Sequence, residues 1–515
     1  MTRMLSELLA ALPETLRVTV SKDAPITAPI VESVDEVEPG GVFVARRGRS
    51  VDGHDFIPVA IERGAAAIIG ERGMRGLSVP YVHVRDAQQA LGWLAAAYYD
   101  YPSRKLIVIG VTGTDGKTTT STLIYSILKE ATGGKAGLIS TISADLGDTT
   151  ADTGLHVTTP SAPKIQAFLA RMAANGLKYA VIEMTSHGLH QGRLNGVDID
   201  VAVLTNLTHE HLDYHGSFEN YRAAKAMMFE MLSTSYRKAG VPKISILNGD
   251  DANAGYFAVI PADKRIRYGI ENAADYQTRH IDYQYSTESG QHLTLIETTI
   301  GRLLTPLLGR FNVYNVLAAA ATAHQLGFMS DVQGGLTKVM TIPGRMERID
   351  EGQPFTAIVD FAHTPNALKN ALETCRQMLQ PGKKLIAVFG SAGLRDVEKR
   401  RLMAETSAQL ADFTVLTAED PRTESLDAIL QMMAEGCMAQ GGVEGETFIR
   451  VPDRGDALYR ACQRAQPGDI VIACGKGHEQ SMAFGTVEYP WDDREGLRTA
   501  LHGSPLKTLP TAEGA

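Results

Sequence analysis

Runs of apolar residues alternate along most of the chain with segments in which apolar residues recur at helical spacing. Four such runs lie in the middle of the chain, at 107–111, 179–182, 201–204 and 244–247. Short apolar runs of this kind are typical of buried strands, and the intervening pattern is typical of amphipathic helices. Strands separated by helices indicate a parallel sheet covered on both faces, with ligands at the carboxyl ends of the strands.

The same alternation continues after Pro343, with apolar runs at 357–360, 385–389, 413–416 and 470–474. Residues 1–102 carry a shorter α/β pattern, with strand-like runs at 41–45 and 66–70. A chain of 515 residues is too long for one core, so about two to four domains are expected. We predict an α/β fold of three domains: residues 1–102, a central parallel-sheet domain at 103–342, and a doubly wound, Rossmann-like domain at 343–515.

The first central run leads into a glycine-rich turn, Thr112-Gly113-Thr114-Asp115-Gly116-Lys117-Thr118, which opens a helical pattern. Backbone N–H groups at the glycines and the positive end of the helix form a cradle for anions. Lys117 adds an ammonium group, and the Thr118 hydroxyl is suited to Mg²⁺. The turn is therefore predicted to bind nucleotide phosphates, although Val111 stands where the usual motif has its first glycine.

Two further side chains follow neighbouring strands of the same predicted sheet. Glu183 and His211 are expected to converge with Thr118 beside the terminal phosphate, where they would hold Mg²⁺. The alternative is that Glu183 caps the next segment and His211 is an ordinary core histidine. Lys225 lies in an apolar helical run, either as a solvated lysine or as a desolvated, reactive one.

Polar residues elsewhere are suited to binding a second substrate. Thr158, Thr159, Gln191 and Arg193 could hydrogen-bond a phosphorylated or sugar compound, or could be ordinary loop residues. Arg422 follows a predicted strand, and Glu479 lies in a Gly-Lys-Gly loop. An arginine fork pairs with carboxylates and a glutamate with ammonium groups, so this pair could recognise an amino acid.

Composition narrows the class of protein. The chain is 44% apolar and 21% charged, as in ordinary globular proteins, and no apolar run approaches the roughly 20 residues of a membrane span. The first residues do not resemble a signal peptide, so we expect a cytoplasmic protein. A net charge of −9 argues against nucleic-acid binding. Four scattered cysteines indicate neither a disulfide framework nor a zinc site. The sequence does not indicate the oligomeric state, and we take a monomer as the default.

Several segments together resemble the Mur ligase family, in particular its branch of UDP-N-acetylmuramoyl-tripeptide synthetases. The resemblance extends over about residues 30 to 485, nearly the whole chain. Besides 112–118, the segments that carry it are 157–160, 183–193, 206–216, 309–315, Pro343-Gly344-Arg345-Met346-Glu347, Asp360-Phe361-Ala362-His363-Thr364-Pro365, Glu419-Asp420-Pro421-Arg422 and Gly475-Lys476-Gly477-His478-Glu479.

This resemblance implies an ATP-dependent ligase that adds a diamino acid to UDP-N-acetylmuramoyl-L-alanyl-D-glutamate in peptidoglycan synthesis. The three domains would bind the UDP-sugar dipeptide, ATP and the amino acid, with Mg²⁺ as cofactor and an acyl phosphate as intermediate. A folylpolyglutamate synthetase-like ligase and a P-loop kinase are the alternatives. Residue by residue, the resemblance implies ATP binding by Gly113, Thr114, Asp115, Gly116, Lys117, Thr118, Thr119, Asn315, Arg345 and Asp360; UDP-substrate binding by Thr158, Thr159, Thr185, Gln191 and Arg193; and amino-acid binding by Arg395, Glu419, Asp420, Pro421, Arg422, Gly475 and Glu479.

The resemblance also implies that Lys225 carries CO₂ as a carbamate (N6-carboxylysine), and it assigns catalytic roles to Lys117, Glu183, His211 and Lys225. Three positions depart from the family pattern. Glu32-Ser33-Val34-Asp35 stands where Asp-Ser-Arg is usual, and Val157 replaces a usual Asn.

The third departure concerns the amino acid that is added. The loop reads Glu-Asp-Pro-Arg, where diaminopimelate enzymes usually have Asp-Asn-Pro-Arg. Arg422 favours diaminopimelate, because it can grip the distal carboxylate. The extra charge of Asp420 favours a side chain that ends in a bare ammonium, as in lysine or ornithine. We expect diaminopimelate and keep the other two as alternatives.

Overall fold

The structure is a computed structural model that describes residues 2–14, 16, 22–48, 51–153, 158–208, 212–286 and 291–513. The first sheet is wholly parallel, in the order β3-β4-β5-β6, and the short pair β1-β2 lies apart from it. Its elements are β1 (Arg3–Met4), α1 (Leu5–Ala10), β2 (Pro25–Ile26), β3 (Ile30–Val31), β4 (Val42–Ala45), α2 (Ile57–Glu62), β5 (Ala67–Gly70), β6 (Tyr81–His83) and α3 (Ala87–Tyr98).

The central sheet has 11 strands in the order β10-β9-β8-β11-β7-β12-β13-β14-β15-β16-β17. Its elements are β7 (Ile107–Thr112), α4 (Lys117–Ala131), β8 (Ala136–Ile139), β9 (Ala144–Asp145), β10 (Thr150–Ala151), α5 (Ala162–Ala174), β11 (Tyr179–Glu183), α6 (Ser186–His190), β12 (Val201–Leu204), α7 (Leu212–His215), α8 (Phe218–Thr234), β13 (Ile244–Asn248), α9 (Ala254–Ala258), β14 (Lys264–Gly269), β15 (Tyr276–Ser286), β16 (Gln291–Thr298), β17 (Gly301–Thr305), α10 (Arg310–Gln325) and α11 (Val332–Lys338).

The parallel core of this sheet agrees with the prediction, and its antiparallel edges do not. The seven strands in the middle of the sheet, β8-β11-β7-β12-β13-β14-β15, pair in parallel. At one edge β9 and β10 pair antiparallel, and at the other edge β16 and β17 do so. One apolar face, with Ile109 and Val111, packs on α4 and α10, and the other, with Val108 and Ile182, packs on α5 and α8. Burial on both faces explains why the central strands are continuously apolar.

The third sheet has six strands in the order β18-β19-β23-β20-β21-β22, all parallel except β18. The elements from residue 347 onward are β18 (Glu347–Ile349), β19 (Thr356–Asp360), α12 (Pro365–Met378), β20 (Leu385–Phe389), α13 (Glu398–Leu410), β21 (Phe413–Leu416), α14 (Leu426–Ala439), β22 (Phe448–Arg450), α15 (Arg454–Arg464), β23 (Ile470–Cys474), β24 (Ser481–Phe484), β25 (Val487–Pro490) and α16 (Asp493–Leu501). Strands β24 and β25 pair with each other, antiparallel, in a separate two-stranded sheet.

All four cysteines are buried and unpaired, as expected of small core residues. Among the described residues, no helix is long and apolar enough to cross a membrane.

Candidate active site

The glycine-rich turn, residues 113–116, lies between the end of β7 and the first residue of α4. Gly113 and Gly116 have φ values of 151° and 79°, a region that favours glycine. A Cβ atom on Gly113 would lie 1.8 Å from Thr205 Oγ1, and one on Gly116 would lie 2.4 Å from Asn315 Oδ1. Both the backbone conformation and the close neighbours therefore require glycine at these two positions.

The residues that follow β12 hold the 113–116 turn in place. The Thr114 N–H donates to Asn206 O over 2.8 Å, and the Asp115 N–H donates to Asn206 Oδ1 over 3.0 Å. Thr205 Oγ1 donates to Asp115 O over 2.6 Å. Sequence reasoning assigned no role to Thr205 or Asn206 in shaping the turn. The polar pair directly after an apolar strand was the available signal.

Lys117 and the helix that it begins supply positive charge to the turn. Its Nζ donates to Gly113 O over 3.1 Å and to Thr114 O over 2.7 Å, so the ammonium curls back over the turn. The positive end of the α4 dipole lies at the same place. Thr119 is buried in this first helical turn. The arrangement is suited to an anion such as a phosphate chain.

Glu183 and Thr118 lie together beside the turn, as the sequence predicted. Strand register places Glu183 opposite Val111 of β7. Thr118 Oγ1 lies 3.1 and 3.0 Å from the two Glu183 carboxylate oxygens, and Thr141 donates to the same carboxylate through its N–H (3.1 Å) and its Oγ1 (3.0 Å). The Glu183 carboxylate is only 1% exposed. His211 lies outside the described residues.

This donor set fits Mg²⁺. The ion takes oxygen ligands and is usually bound by one or two carboxylates together with substrate phosphates. A carboxylate and a hydroxyl beside a phosphate cradle match that preference. No group of three or more His, Cys, Asp or Glu side chains that could hold a metal occurs in the described part of the chain. An ion held there would take its remaining oxygen ligands from substrate phosphates.

Lys225, on α8, is 1% exposed, so it is not a solvated helix lysine. Its Nζ donates to Gly113 O over 2.6 Å and lies 4.6 Å from the centroid of the Tyr221 ring. The desolvated alternative from the sequence therefore describes its environment. The contact of Lys225 with the 113–116 turn places its side chain in the same site as Lys117.

Two residues from farther along the chain, Asn315 and Arg345, also reach the 113–116 turn and α4, and Asp360 interacts electrostatically with Arg345. Asn315 Oδ1, on α10, accepts a hydrogen bond of 3.1 Å from Thr120 Oγ1. Arg345 Nη2 donates to Thr118 Oγ1 over 3.3 Å, and its guanidinium lies 4.5 Å from the Phe361 ring centroid. Asp360, at the end of β19, accepts from the N–H groups of Met346 (2.7 Å) and Ala362 (2.8 Å). Burial raises the pKa of Asp360, and the charge of Arg345 opposes that rise.

Four of the five residues expected to bind the UDP substrate form one hydrogen-bonded group. Thr159 Oγ1 donates to the main-chain oxygen of Glu183 over 3.1 Å and lies 3.0 Å from Thr185 Oγ1, which joins this group to the strand end that carries Glu183. Arg193 donates to Thr159 O over 2.6 Å and to Gln191 Oε1 over 2.7 Å. Thr158, directly before Thr159, is half-buried.

A cavity of about 270 Å³ extends from Gln191 and Arg193 towards the first sheet. Its other polar lining residues are Glu32, Arg46, Gln88, Thr153, Ser161 and Lys164. Except for Glu32, sequence reasoning missed them, because the fold rather than any motif brings them together. Glu32, which stands in the segment that departs from the usual Asp-Ser-Arg, pairs with Arg46. The cavity therefore combines several cationic and amide groups, which are suited to phosphate and sugar.

Loops after β21 and β23 bring together the residues expected to bind the amino acid. Glu419 is 6% exposed, and its Oε2 has no hydrogen-bond partner among the described residues. A Cβ atom on Gly475 would lie 2.1 Å from that oxygen, so glycine leaves the room that the carboxylate occupies. Burial raises the pKa of Glu419, against the opposing charges of Lys399 and Arg454. A buried carboxylate oxygen without a partner is suited to an incoming cation.

Asp420 does not have the effect on specificity that its charge predicts. The prediction that it favours a side chain ending in a bare ammonium requires that its carboxylate add negative charge to the pocket. Both of its oxygens instead lie 3.1 Å from Nζ of Lys476, and Oδ1 also accepts from the Ala483 N–H over 2.9 Å. Because the carboxylate is neutralised within the protein, Asp420 does not by itself favour a bare ammonium.

Arg422 and Arg395 lie on two adjacent loops. Arg422 Nη1 donates to Gly393 O over 3.0 Å, and the guanidinium makes no other hydrogen bond to the described residues, which leaves N–H groups for a ligand. Pro421, beside it, is buried. Arg395 is exposed on the loop before α13. Glu479 pairs with Lys476 over 2.6 Å.

Backbone strain is concentrated around this region. Of the six described residues other than glycine with positive φ, four lie here: Met346 (49°), Leu394 (56°), Asp420 (42°) and Arg422 (53°). Such conformations cost about 1–3 kcal/mol each and persist where the surrounding structure fixes them. Their clustering at Arg345 and at the two arginine-bearing loops is typical of a functional site.

Arg454, at the start of α15, connects the roots of the two amino-acid loops. Its side chain is fully buried and donates to Ala418 O over 3.0 Å and to Cys474 O over 2.8 Å. These carbonyls directly precede Glu419 and Gly475. Asp493, also fully buried, accepts from Arg454 Nε over 2.6 Å and from Trp491 Nε1 over 2.8 Å.

Breaking this buried pair is expected to destabilise the protein. Arg454→Met leaves the Asp493 charge buried without its cationic partner, which should lower the free energy of unfolding by about 3–5 kcal/mol. Arg454→Met combined with Asp493→Asn removes both charges and keeps an acceptor for Trp491, so much of the loss should be recovered. Urea unfolding of both variants measures this, and a double variant as unstable as the single one would contradict it.

His478 is expected to make stability depend on pH. Its Nδ1 is buried without a hydrogen-bond partner among the described residues, and burial, reinforced by Arg345, lowers the pKa of His478 to about 3. In the unfolded chain the imidazole takes up its proton near its ordinary pKa of 6.5, so protons favour the unfolded state between these two pH values. The free energy of unfolding should fall as pH drops through this window.

The slope attributable to this one group is at most about 1.4 kcal/mol per pH unit. His478→Gln carries no titrating group and should lose stability less steeply than the original protein between pH 6.5 and pH 4. Urea unfolding at several pH values compares the two. Parallel curves for the two proteins would exclude His478 as the source.

Comparisons with known proteins agree on one family. The Mur ligase middle domain profile matches residues 111–323, the "Mur ligase, glutamate ligase domain" profile matches 344–477, and the "Mur ligase family, catalytic domain" profile matches 35–99. The folylpolyglutamate synthase of Mycobacterium tuberculosis shares the fold with a TM-score of 0.59, covering 80% of this chain and 95% of that one. Its identity is only 16%, so this likeness shows the fold alone.

Relatives of higher identity point to one branch. The chain is 42% identical over 468 residues to the UDP-N-acetylmuramoyl-L-alanyl-D-glutamate–2,6-diaminopimelate ligase of Geobacillus thermodenitrificans, over 90% of this chain and 93% of that protein. It is 41% identical to the UDP-N-acetylmuramyl-tripeptide synthetase of Roseiflexus sp., over 93% of this chain and 95% of that protein. A solved structure of a 2,6-diaminopimelate ligase gives a TM-score of 0.60 at 32% identity, covering 92% and 94% of the two chains. The chain therefore belongs to the Mur ligase family and is an ATP-dependent ligase.

Proposed function

We propose that this ligase joins meso-diaminopimelate to UDP-N-acetylmuramoyl-L-alanyl-D-glutamate, with ATP as co-substrate, in peptidoglycan synthesis. The observation that carries the choice of amino acid is the pairing of Asp420 with Lys476. It leaves Arg422 as the group that distinguishes the distal end of the side chain. The relatives named as 2,6-diaminopimelate ligases support the same choice.

The first step is phosphoryl transfer at the 113–116 turn. The free carboxylate of the UDP-linked dipeptide attacks the γ-phosphorus of ATP, the bond to ADP breaks, and an acyl phosphate forms. Lys117 and the backbone N–H groups of the turn neutralise the charge that spreads over the phosphate oxygens. Asn315, Arg345 and Asp360 surround the nucleotide.

Glu183 and Thr118, with His211 as a further ligand, would hold Mg²⁺ beside the phosphates. When bound, the ion would stabilise the negative charge of the transferring phosphoryl group. The same Glu183 shares hydrogen-bonded contacts with Thr159 through its main-chain oxygen. The reacting carboxylate and the terminal phosphate would thereby be held in one place.

In the second step the amino group of diaminopimelate attacks the acyl carbon. A tetrahedral intermediate forms, phosphate leaves with the former carboxylate oxygen, and an amide remains. Glu419 would take an ammonium group of the amino acid on its unpartnered Oε2, and Arg422 would take the distal carboxylate. Gly475, Glu479 and Arg395 complete the pocket.

Lys225 is proposed to act as a carbamate. The neutral Lys225 amine would add CO₂ and release a proton, which would place an anion close to the 113–116 turn as a second carboxylate-like group for the metal. The buried position supports this role, because an amine with little water around it is more readily neutral.

The three-domain division at 102 and 342 assigns the cavity near Arg193 to the UDP-sugar, the turn to ATP and the loops after β21 and β23 to the amino acid. Because the groups come from separate parts of the chain, closure over ATP should assemble the site and exclude water from the acyl phosphate. A cytoplasmic monomer remains the prediction for location and assembly.

One assay tests the proposed reaction. Purified protein, ATP, Mg²⁺ and the UDP-linked dipeptide are offered diaminopimelate, lysine, ornithine or glutamate in turn, and products are weighed by mass spectrometry. Diaminopimelate is expected to give the amide product at the highest kcat/KM. Preference for glutamate would support a folylpolyglutamate synthetase-like enzyme, and phosphorylated substrate without amide would support a kinase. Either outcome contradicts the proposal.

A further inference from the structure

Lys476 is a fully buried lysine that contacts two carboxylates of the amino-acid pocket. Its Nζ lies 3.1 Å from both Asp420 oxygens and 2.6 Å from Glu479 Oε2. Burial alone would lower the pKa of Lys476, but Glu479 and Asp420 outweigh it and raise that pKa. The side chain is therefore a permanent cation at ordinary pH.

Lys476 is the cation that lies among the carboxylates of the amino-acid pocket. Glu419, Asp420 and Glu479 place three carboxylates in one small region, and Asp420 adds to the rise in the pKa of Glu419. Lys476 contacts two of the three and faces none of the solvent. Without it, Asp420 would keep one N–H donor, from Ala483, for a charge that is 6% exposed.

We infer that Lys476 determines specificity, because by cancelling Asp420 it allows a substrate with a distal carboxylate to reach Arg422. This inference rests on the proposed ligation of a diamino acid and deepens it, because it makes the Lys476 charge itself a determinant of which diamino acid is accepted. Asp420 would otherwise repel a distal carboxylate and attract a distal ammonium. Selection between a distal carboxylate and a distal ammonium then depends on repulsion by Asp420 as much as on attraction by Arg422.

The test is a double-variant cycle at positions 476 and 420. Lys476→Met keeps the length and bulk of the apolar stem and removes the charge. Asp420→Asn removes the charge that Lys476 offsets while keeping an acceptor for the Ala483 N–H. Each variant and the combination are assayed for kcat/KM with diaminopimelate and with lysine, and the ratio of the two values is compared. The ratio does not depend on how much of each preparation is correctly folded.

Lys476→Met is expected to lower the diaminopimelate-to-lysine ratio at least about tenfold, the effect of roughly 1.4 kcal/mol. Asp420→Asn alone should keep or raise the ratio, and adding Asp420→Asn to Lys476→Met should restore it. Lys369→Met, at an exposed lysine of α12, is the matched control and should leave the ratio unchanged.

Two failures are distinguishable. If the original protein ligates neither diamino acid, the proposed function is wrong. If it is active and Lys476→Met leaves the ratio unchanged, or Asp420→Asn does not restore it, only the role of Lys476 is overturned. A restored ratio in the double variant separates charge compensation from a merely structural contribution of the lysine.

Discussion

Lys117→Ala is expected to abolish ATP-dependent amide formation, with a loss of at least about 10³-fold in kcat. The variant removes the ammonium that lies over Gly113 and Thr114 and would neutralise the transferring phosphoryl group. The turn itself should keep its shape, since Thr205 and Asn206 hold it independently of this lysine. Product formation followed by mass spectrometry measures the effect.

The control for this variant is Lys178→Ala, which removes an exposed lysine just before β11. It should retain the activity of the original protein. Thermal unfolding should show that both variants are folded, so that lost activity reports lost chemistry. Near-normal turnover by Lys117→Ala would refute the assignment of the 113–116 turn as the site of phosphoryl transfer.

Lys225→Ala is expected to lower activity by about 10²-fold, and short carboxylic acids should restore part of it. Truncation of this side chain leaves space beside the 113–116 turn, because Lys225 is 1% exposed and fills a closed region. Acetate or formate can occupy that space and supply the anionic oxygen that the carbamate would provide. Initial rates across a range of acid concentrations measure the rescue.

Specific rescue requires a comparison with another inactive variant. The same acids should not restore Lys117→Ala, which lacks a cation rather than an anion. Full activity of Lys225→Ala without added acid would count against the carbamate. Equal stimulation of both variants would show a general effect of the acids and would also contradict it.

Most of the parallel framework could be predicted from the sequence. The strands around Ile109, Val181 and Val203 are apolar on both faces because helices cover both sides of the sheet. The antiparallel edge at β15–β17 was missed, since exposed polar residues such as Arg279 and Arg302 interrupt the apolar ones. Strands in which polar and apolar residues are interspersed contain no continuous apolar run, so the pattern that identified the central strands does not identify them.

The candidate site was predictable where a motif is contiguous and not where folding joins distant residues. Lys117, Thr118 and Glu183 follow strands whose ends must meet, and they are found together. The compensation of Asp420 by Lys476 spans 56 residues, and no local pattern indicates it. Arg46 and Lys164 likewise line one cavity only because α3 packs against α5 in the folded chain.

Transfer of oxygen isotope tests the central claim most directly. The UDP-linked dipeptide is labelled with ¹⁸O in its reacting carboxylate, incubated with ATP, Mg²⁺ and diaminopimelate, and the released phosphate is weighed. Activation of the carboxylate as an acyl phosphate predicts one ¹⁸O atom in each phosphate released. Amide product accompanied by unlabelled phosphate would contradict the account.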